Sequence, residues 1–175
     1  MTIIFSSQPF YGRYVQVAQA DDPVSSRIQD NGKLWPFFHG CLGAIDGSHI
    51  PISPPAALQG LYRNRKGFLS QNCLFICSFD MLFKYVLTGW EGAATDARVW
   101  ADALLKGFSV PEGYYYLADA GYPHCNELLV PYRNVRYHLQ ELGAAGVRYE
   151  LYSVIIQQIL NMSVQACKSK GVIQS

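Results

Sequence analysis

Three aspartates stand where a fold would expose them, and their type and placement point to cation chemistry. Asp46 breaks the apolar run Leu42-Gly43-Ala44-Ile45-Asp46-Gly47-Ser48-His49-Ile50. Asp96 opens Asp96-Ala97-Arg98-Val99-Trp100, just after Gly89-Trp90-Glu91-Gly92. Asp119 closes Tyr114-Tyr115-Tyr116-Leu117-Ala118-Asp119, ahead of Ala120-Gly121-Tyr122-Pro123. Aspartate is a poor strand residue, so acids at two strand ends and at a helix start call for another role. Oxygen ligands suit the hard ions Mg²⁺ and Mn²⁺. A cation held there sits beside a scissile phosphate and lowers the pKa of its bound water; a pair about 3.5–4 Å apart stabilises both the attacking and the leaving oxygen. Carboxylates this close repel, which raises the pKa of at least one. Each acid also has a plainer structural reading. Asp46-Gly47 is a common turn dipeptide, Asp96 is a natural helix N-cap, and Asp119 can simply end a strand.

Other chemistries are poorly served. There is no G-x-S-x-G elbow, P-loop or G-x-G-x-x-G. Ser48-His49 beside Asp46 is no triad, because neighbours on a strand face opposite ways. His49, His124 and His138 are scattered and read as structural or phosphate-facing rather than as zinc ligands. Cys41, Cys73, Cys77, Cys125 and Cys167 fit no disulfide framework. In a strand, Cys73 and Cys77 share a face with Phe75 and read as core thiols in a reducing compartment.

The elements that must position the acids follow from periodicity. Of the 175 residues, 50% are hydrophobic and 15% charged, which suits one folded unit with a real core. Residues 1–32 read as irregular. Strands are expected over Cys41–Ile52, Ser70–Phe79 and Phe83–Trp90, as an antiparallel meander. Val99, Trp100, Ala103 and Leu104 then recur at helical spacing over Asp96–Leu105, with Lys106-Gly107 as the stop. Tyr114–Ala118 forms a fourth strand, and Leu128–Pro131 a shorter element. A strand reached through a crossover helix runs parallel to its neighbour. Beside the first strand it would bring Asp119 next to Asp46. From Arg148 to Lys168 an amphipathic helix is expected, packing onto the sheet. The formal net charge of +1 gives no bulk attraction to nucleic acid. The local cluster Arg63, Arg65 and Lys66, within Tyr62–Gly67, is either a DNA contact or a solvated loop. No basic leader or apolar span of about 20 residues appears, so a soluble, intracellular protein is expected.

Taken in order, these motifs resemble a known family. Gly43-Ala44-Ile45-Asp46-Gly47-Ser48-His49-Ile50-Pro51, Tyr62-Arg63-Asn64-Arg65-Lys66-Gly67, Gly89–Val99, and Leu117–Pro123 with Pro131-Tyr132-Arg133 are similar to the DDE endonuclease domain of PIF/Harbinger-type transposases, particularly fungal ones. The resemblance runs from about residue 9 to residue 142. It implies an α/β, RNase H-like fold with a mixed sheet: the three-strand meander plus parallel strands, with flanking helices. It also implies Mg²⁺- or Mn²⁺-dependent cleavage and joining of DNA, and nuclear action. By position, Asp46 matches the first catalytic acid and Asp119 the second; Asp96 matches a recurrent acid at a helix start. Arg63, Arg65 and Lys66 would face the DNA backbone. The expected organisation is an irregular packing segment at 1–40, the endonuclease core at 41–142 and a divergent C-terminal helix at 143–175. The family's third acid, a glutamate on a later helix, has no matching motif; Glu141 and Glu150 are weak substitutes. The helix-turn-helix region such transposases carry is not matched either, so a separate DNA-binding partner protein is one expectation. The resemblance thus implies a chain truncated at both ends. The competing expectation is a catalytically inactive remnant that acts at most as a DNA- or protein-binding module.

Overall fold

The computed structural model describes residues 8–131 except 33 and 81. A five-stranded mixed sheet forms its centre. Strand β1 spans Cys41–Pro51, β2 Ser70–Cys77, β3 Phe83–Glu91, β4 Tyr115–Leu117 and β5 Leu128–Leu129. The spatial order is β3-β2-β1-β4-β5. β1 pairs antiparallel with β2, and β2 with β3, while β4 runs parallel to β1 and β5 parallel to β4. The meander and the parallel return strand are therefore the ones the sequence calls for, as is the α/β class. A bulge at Cys41/Gly43 adjusts the β1–β4 register. Gly43 (φ +154°) lies so close to the Cys77 carbonyl that no side chain fits.

Helices α1 (Gln8–Tyr14), α2 (Ser26–Gln29), α3 (Gln59–Tyr62) and α4 (Asp96–Leu105) accompany the sheet, with a single 3-10 turn at Ala56–Leu58 ahead of α3. The segment before residue 33 is thus not wholly irregular. Ser25 caps α2 by accepting from Arg27 N–H, a short-range signal too weak to show in periodicity. Helix α4 has the expected bounds and stops where Gly107 adopts φ +90°.

Alternation along the strands divides the core in two. On one face Ala44, Ile50, Cys73, Phe75, Cys77 and Leu117 pack with Ile28, Leu34 and Phe38. On the other, Ile45, Leu74, Ile76 and Tyr116 pack with Val99, Trp100, Ala103 and Phe108 from α4 and the turn beyond it. The sheet is therefore sandwiched between the N-terminal segment and α4. Cys73, Phe75 and Cys77 share a face as expected, and Cys41, Cys73 and Cys77 are buried and form no disulfide. Trp90 ties β3 to α4: its indole N–H donates to Asp102 Oδ2 at 2.8 Å, and Arg98 lies over its ring at 5.1 Å. No helix among the described residues is long and apolar enough to cross a membrane. The expected helix over Arg148–Lys168, and Glu141, Glu150 and His138, lie outside the described residues.

Candidate active site

The β1–β4 ladder ends at the pair Ala44–Leu117. Asp46 lies two residues further along β1, and Asp119 two residues beyond the end of β4, in the loop that leaves the strand. The parallel pairing of β1 with β4, strands about 4.8 Å apart, brings these two stretches of chain to the same end of the sheet. Asp46 Oδ1 accepts from the Gly47 N–H at 2.8 Å, and Asp119 Oδ1 from the Gly121 N–H at 2.8 Å. Each carboxylate is thus fixed by its own downstream backbone.

Asp96 comes from the α4 side. The expectation that it caps the helix is corrected here. Thr95 is the N-cap residue, without a side-chain cap bond, and Asp96 is the first residue of the helix. Its Oδ1 instead accepts from Asn72 Nδ2 at 3.3 Å. Its carboxylate spans two glycines. A Cβ on Gly47 would collide with Asp96 Oδ1, and one on Gly121 would lie 3.0 Å from both Asp96 Oδ2 and Asp119 Oδ1. Those last two oxygens share a point at equal reach, so they are at most twice that distance apart. Gly47 and Gly121 are what let three acids from β1, α4 and the turn after β4 approach one another.

The electrostatics record the same convergence. Asp46 is pushed up from 3.8 to about 7, first by burial and then by the charge of Asp119; the Gly47 N–H opposes this, and Asp96 adds a smaller upward push. Tyr122 is fully buried, and its phenol is raised well above its usual range by burial and then by Asp96, Asp46 and Asp119. Even so, among the described residues no three His, Cys, Asp or Glu side chains are already grouped tightly enough to hold one metal ion. The donor set has the right chemistry for Mg²⁺ or Mn²⁺, while its carboxylates stand apart, as like charges in a poorly solvated site favour.

The cationic cluster forms a tight turn off the ends of β1 and β2. Arg63, Arg65 and Lys66 are exposed around the buried Asn64. Asn64 Oδ1 accepts from the N–H groups of Lys66 (3.0 Å) and Phe68 (3.3 Å), and its Nδ2 donates to Ser70 Oγ at 3.1 Å. Arg63 Nη1 donates to the Gly67 carbonyl at 2.8 Å, so this arginine braces the turn it belongs to. Ser70 Oγ also lies 3.0 Å from His49 Nδ1. The turn is thereby anchored to the strand that carries Asp46. His49 pairs with Asn72 across the ladder, three residues past Asp46; at about 3.3 Å per residue, that is roughly 10 Å along β1.

Sequence reasoning missed Asn72. The signal was present: Ser70, Gln71 and Asn72 open a strand whose every residue is buried, and buried polar residues demand partners.

Residues 45–151 match the family model described as DDE superfamily endonuclease. Among named relatives, "Putative nuclease HARBI1" of Rattus norvegicus is 33% identical over 115 residues, covering 64% of this chain and 33% of that protein. The Homo sapiens and Bos taurus proteins of the same name are each 38% identical over 87 residues, covering 50% of this chain and 25% of theirs. The chain thus matches a quarter to a third of the length of these relatives. No solved structure matches it.

Proposed function

From the premise that this chain belongs to the DDE superfamily endonuclease family, we propose that it is a metal-dependent DNA endonuclease domain of the Harbinger transposase kind. The observation that carries this reading is the convergence of Asp46, Asp119 and Asp96 from three separate elements, seen in the upward pKa of Asp46 and in the shared space at Gly121. Asp46 and Asp119 are the residues that would hold Mg²⁺ or Mn²⁺, with Asp96 in support. When bound, such an ion supplies an activated water and neutralises charge developing on the phosphate. The chain's own residues do the rest. Asp46 gives up its proton to become a ligand. Gly47 and Gly121 leave room for Asp96. Arg65 and Lys66, with Arg63 stiffening their turn, grip the DNA backbone without reading sequence. On this reading the protein would act in the nucleus, with DNA as its substrate and a separate DNA-binding protein as a candidate partner.

The test is nicking of supercoiled plasmid in Mn²⁺ by the wild type and by the Asp46→Asn/Asp119→Asn double variant. Loss of nicking in the variant supports the reading; equal activity rejects it. A second reading has a specific observation in its favour: the described acids are not grouped as a ready-made ion site. On that reading the domain is a catalytically inactive remnant that binds DNA or protein. It would bind DNA through the Arg63–Lys66 turn with no dependence on Mn²⁺.

A further inference from the structure

Asn72 is 2% exposed and sits against Asp96, one of the three acids. Its Nδ2 donates to the Ala94 carbonyl at 3.2 Å and to Asp96 Oδ1 at 3.3 Å. Both neighbours are pure acceptors, so the amide has only one sensible orientation: nitrogen toward them, oxygen away. Oδ1 is buried and accepts no hydrogen bond. It lies 3.1 Å from the place a Cβ on Gly47 would occupy, the same place that Asp96 Oδ1 crowds. An amide oxygen is thus held over Gly47, beside the Asp96 carboxylate. Leaving a buried acceptor unmet costs about 1–3 kcal/mol. A fold that needed only packing at this position would do better with an aliphatic side chain.

We propose that Asn72 is both a positioning residue and an oxygen donor of this site. Its NH₂ group holds Asp96 over Gly47, and its carbonyl oxygen joins the aspartates in receiving a divalent cation or that cation's bound water. The proposal rests on the metal-dependent reading above and adds to it a neutral ligand from β2. Amide oxygens are normal partners for hard cations. A neutral donor also suits a site where a fourth carboxylate would add repulsion.

The test measures Mn²⁺ binding calorimetrically, together with the rise in melting temperature that Mn²⁺ produces, on the full chain. The proteins are the wild type, Asn72→Leu, Asn72→Asp and the Asp46→Asn/Asp119→Asn control. Leu is close to Asn in shape and has no polar atom. Asp keeps the oxygen and replaces the donor with a second acceptor. The expected result is a Kd about tenfold weaker for Asn72→Leu, about the loss of one hydrogen bond or ligand contact. The Mn²⁺-induced rise should be largest for Asn72→Asp, intermediate for the wild type and smallest for Asn72→Leu, even though the Asp substitution lowers the metal-free melting temperature. A purely structural role would move the metal-free melting temperatures and leave the Mn²⁺ increments equal; that outcome overturns the assignment of Asn72 while the metal site stands. A wild type that binds Mn²⁺ no better than the double-variant control overturns the underlying metal reading as well.

Discussion

Replacing Asp46 by Asn should make the folded protein more stable at neutral pH, and the size of the gain can be worked from the site. In the wild type, burial and the Asp119 carboxylate raise Asp46 from 3.8 to about 7. Its folded-state pKa therefore exceeds its unfolded value, so the native state binds more protons across that interval. Stability falls as pH climbs from about 4 to about 7 and is level beyond. At about 1.36 kcal/mol per pH unit, the loss is at most about 4 kcal/mol. Asn keeps the shape, and its carbonyl oxygen can still accept from the Gly47 N–H now bonded to Asp46. Its neutral amide also removes the repulsion with Asp119. The assay is urea unfolding of both proteins at steps from pH 4 to pH 8 without divalent ions. The two curves should meet near pH 4 and diverge as pH rises, with the variant the more stable by several kcal/mol at pH 8. Parallel curves, within about 0.5 kcal/mol across the range, would refute the claim that Asp46 is buried against another carboxylate.

Gly47→Ala drives a methyl group into the Asp96 carboxylate; denaturant unfolding should show a loss of about 1–3 kcal/mol, and Mn²⁺ affinity should fall, whereas Gly67→Ala, with open space around it but φ +86°, should lower stability and leave Mn²⁺ affinity unchanged. Arg65→Ala/Lys66→Ala should weaken DNA binding across unrelated sequences and flatten the slope of log K against log salt by about 2, one unit per phosphate contact; an unchanged slope would remove the turn from the interface. Trp90→Phe deletes a 2.8 Å hydrogen bond to the Asp102 carboxylate and weakens the Arg98 stacking, so thermal or urea unfolding should register a loss of about 1–3 kcal/mol with Mn²⁺ binding unchanged.

Much of the scaffold was legible because it depends on periods the sequence displays openly. Val99, Trp100 and Ala103 at helical spacing gave α4 its bounds, and the change from strand to helix to strand implied a parallel β4 beside β1. That pairing brings the stretches carrying Asp46 and Asp119 to the same end of the sheet. The misses have a common cause: they depend on tertiary neighbours. Asp96 has every local mark of an N-cap, yet Thr95 takes that place and Asp96 turns toward Asn72. Asp46-Gly47 has the composition of a turn but lies inside a strand. Its glycine is there to clear space for a carboxylate from another element. Asn72 lies in a strand that looks like plain core, and only the carboxylate across from it reveals its use. The helices α1, α2 and α3 are too short to show a period, and α2 is held by the Ser25 cap and the buried Ile28 rather than by propensity.

The most direct measurement is the anomalous difference map of a crystal soaked in Mn²⁺. The expected result is a peak at coordination distance, under about 2.6 Å, from oxygens of both Asp46 and Asp119, with Asp96 and Asn72 facing it. A map with no peak there, or with manganese bound only elsewhere, would contradict the claim that these two strands were brought together to hold one cation.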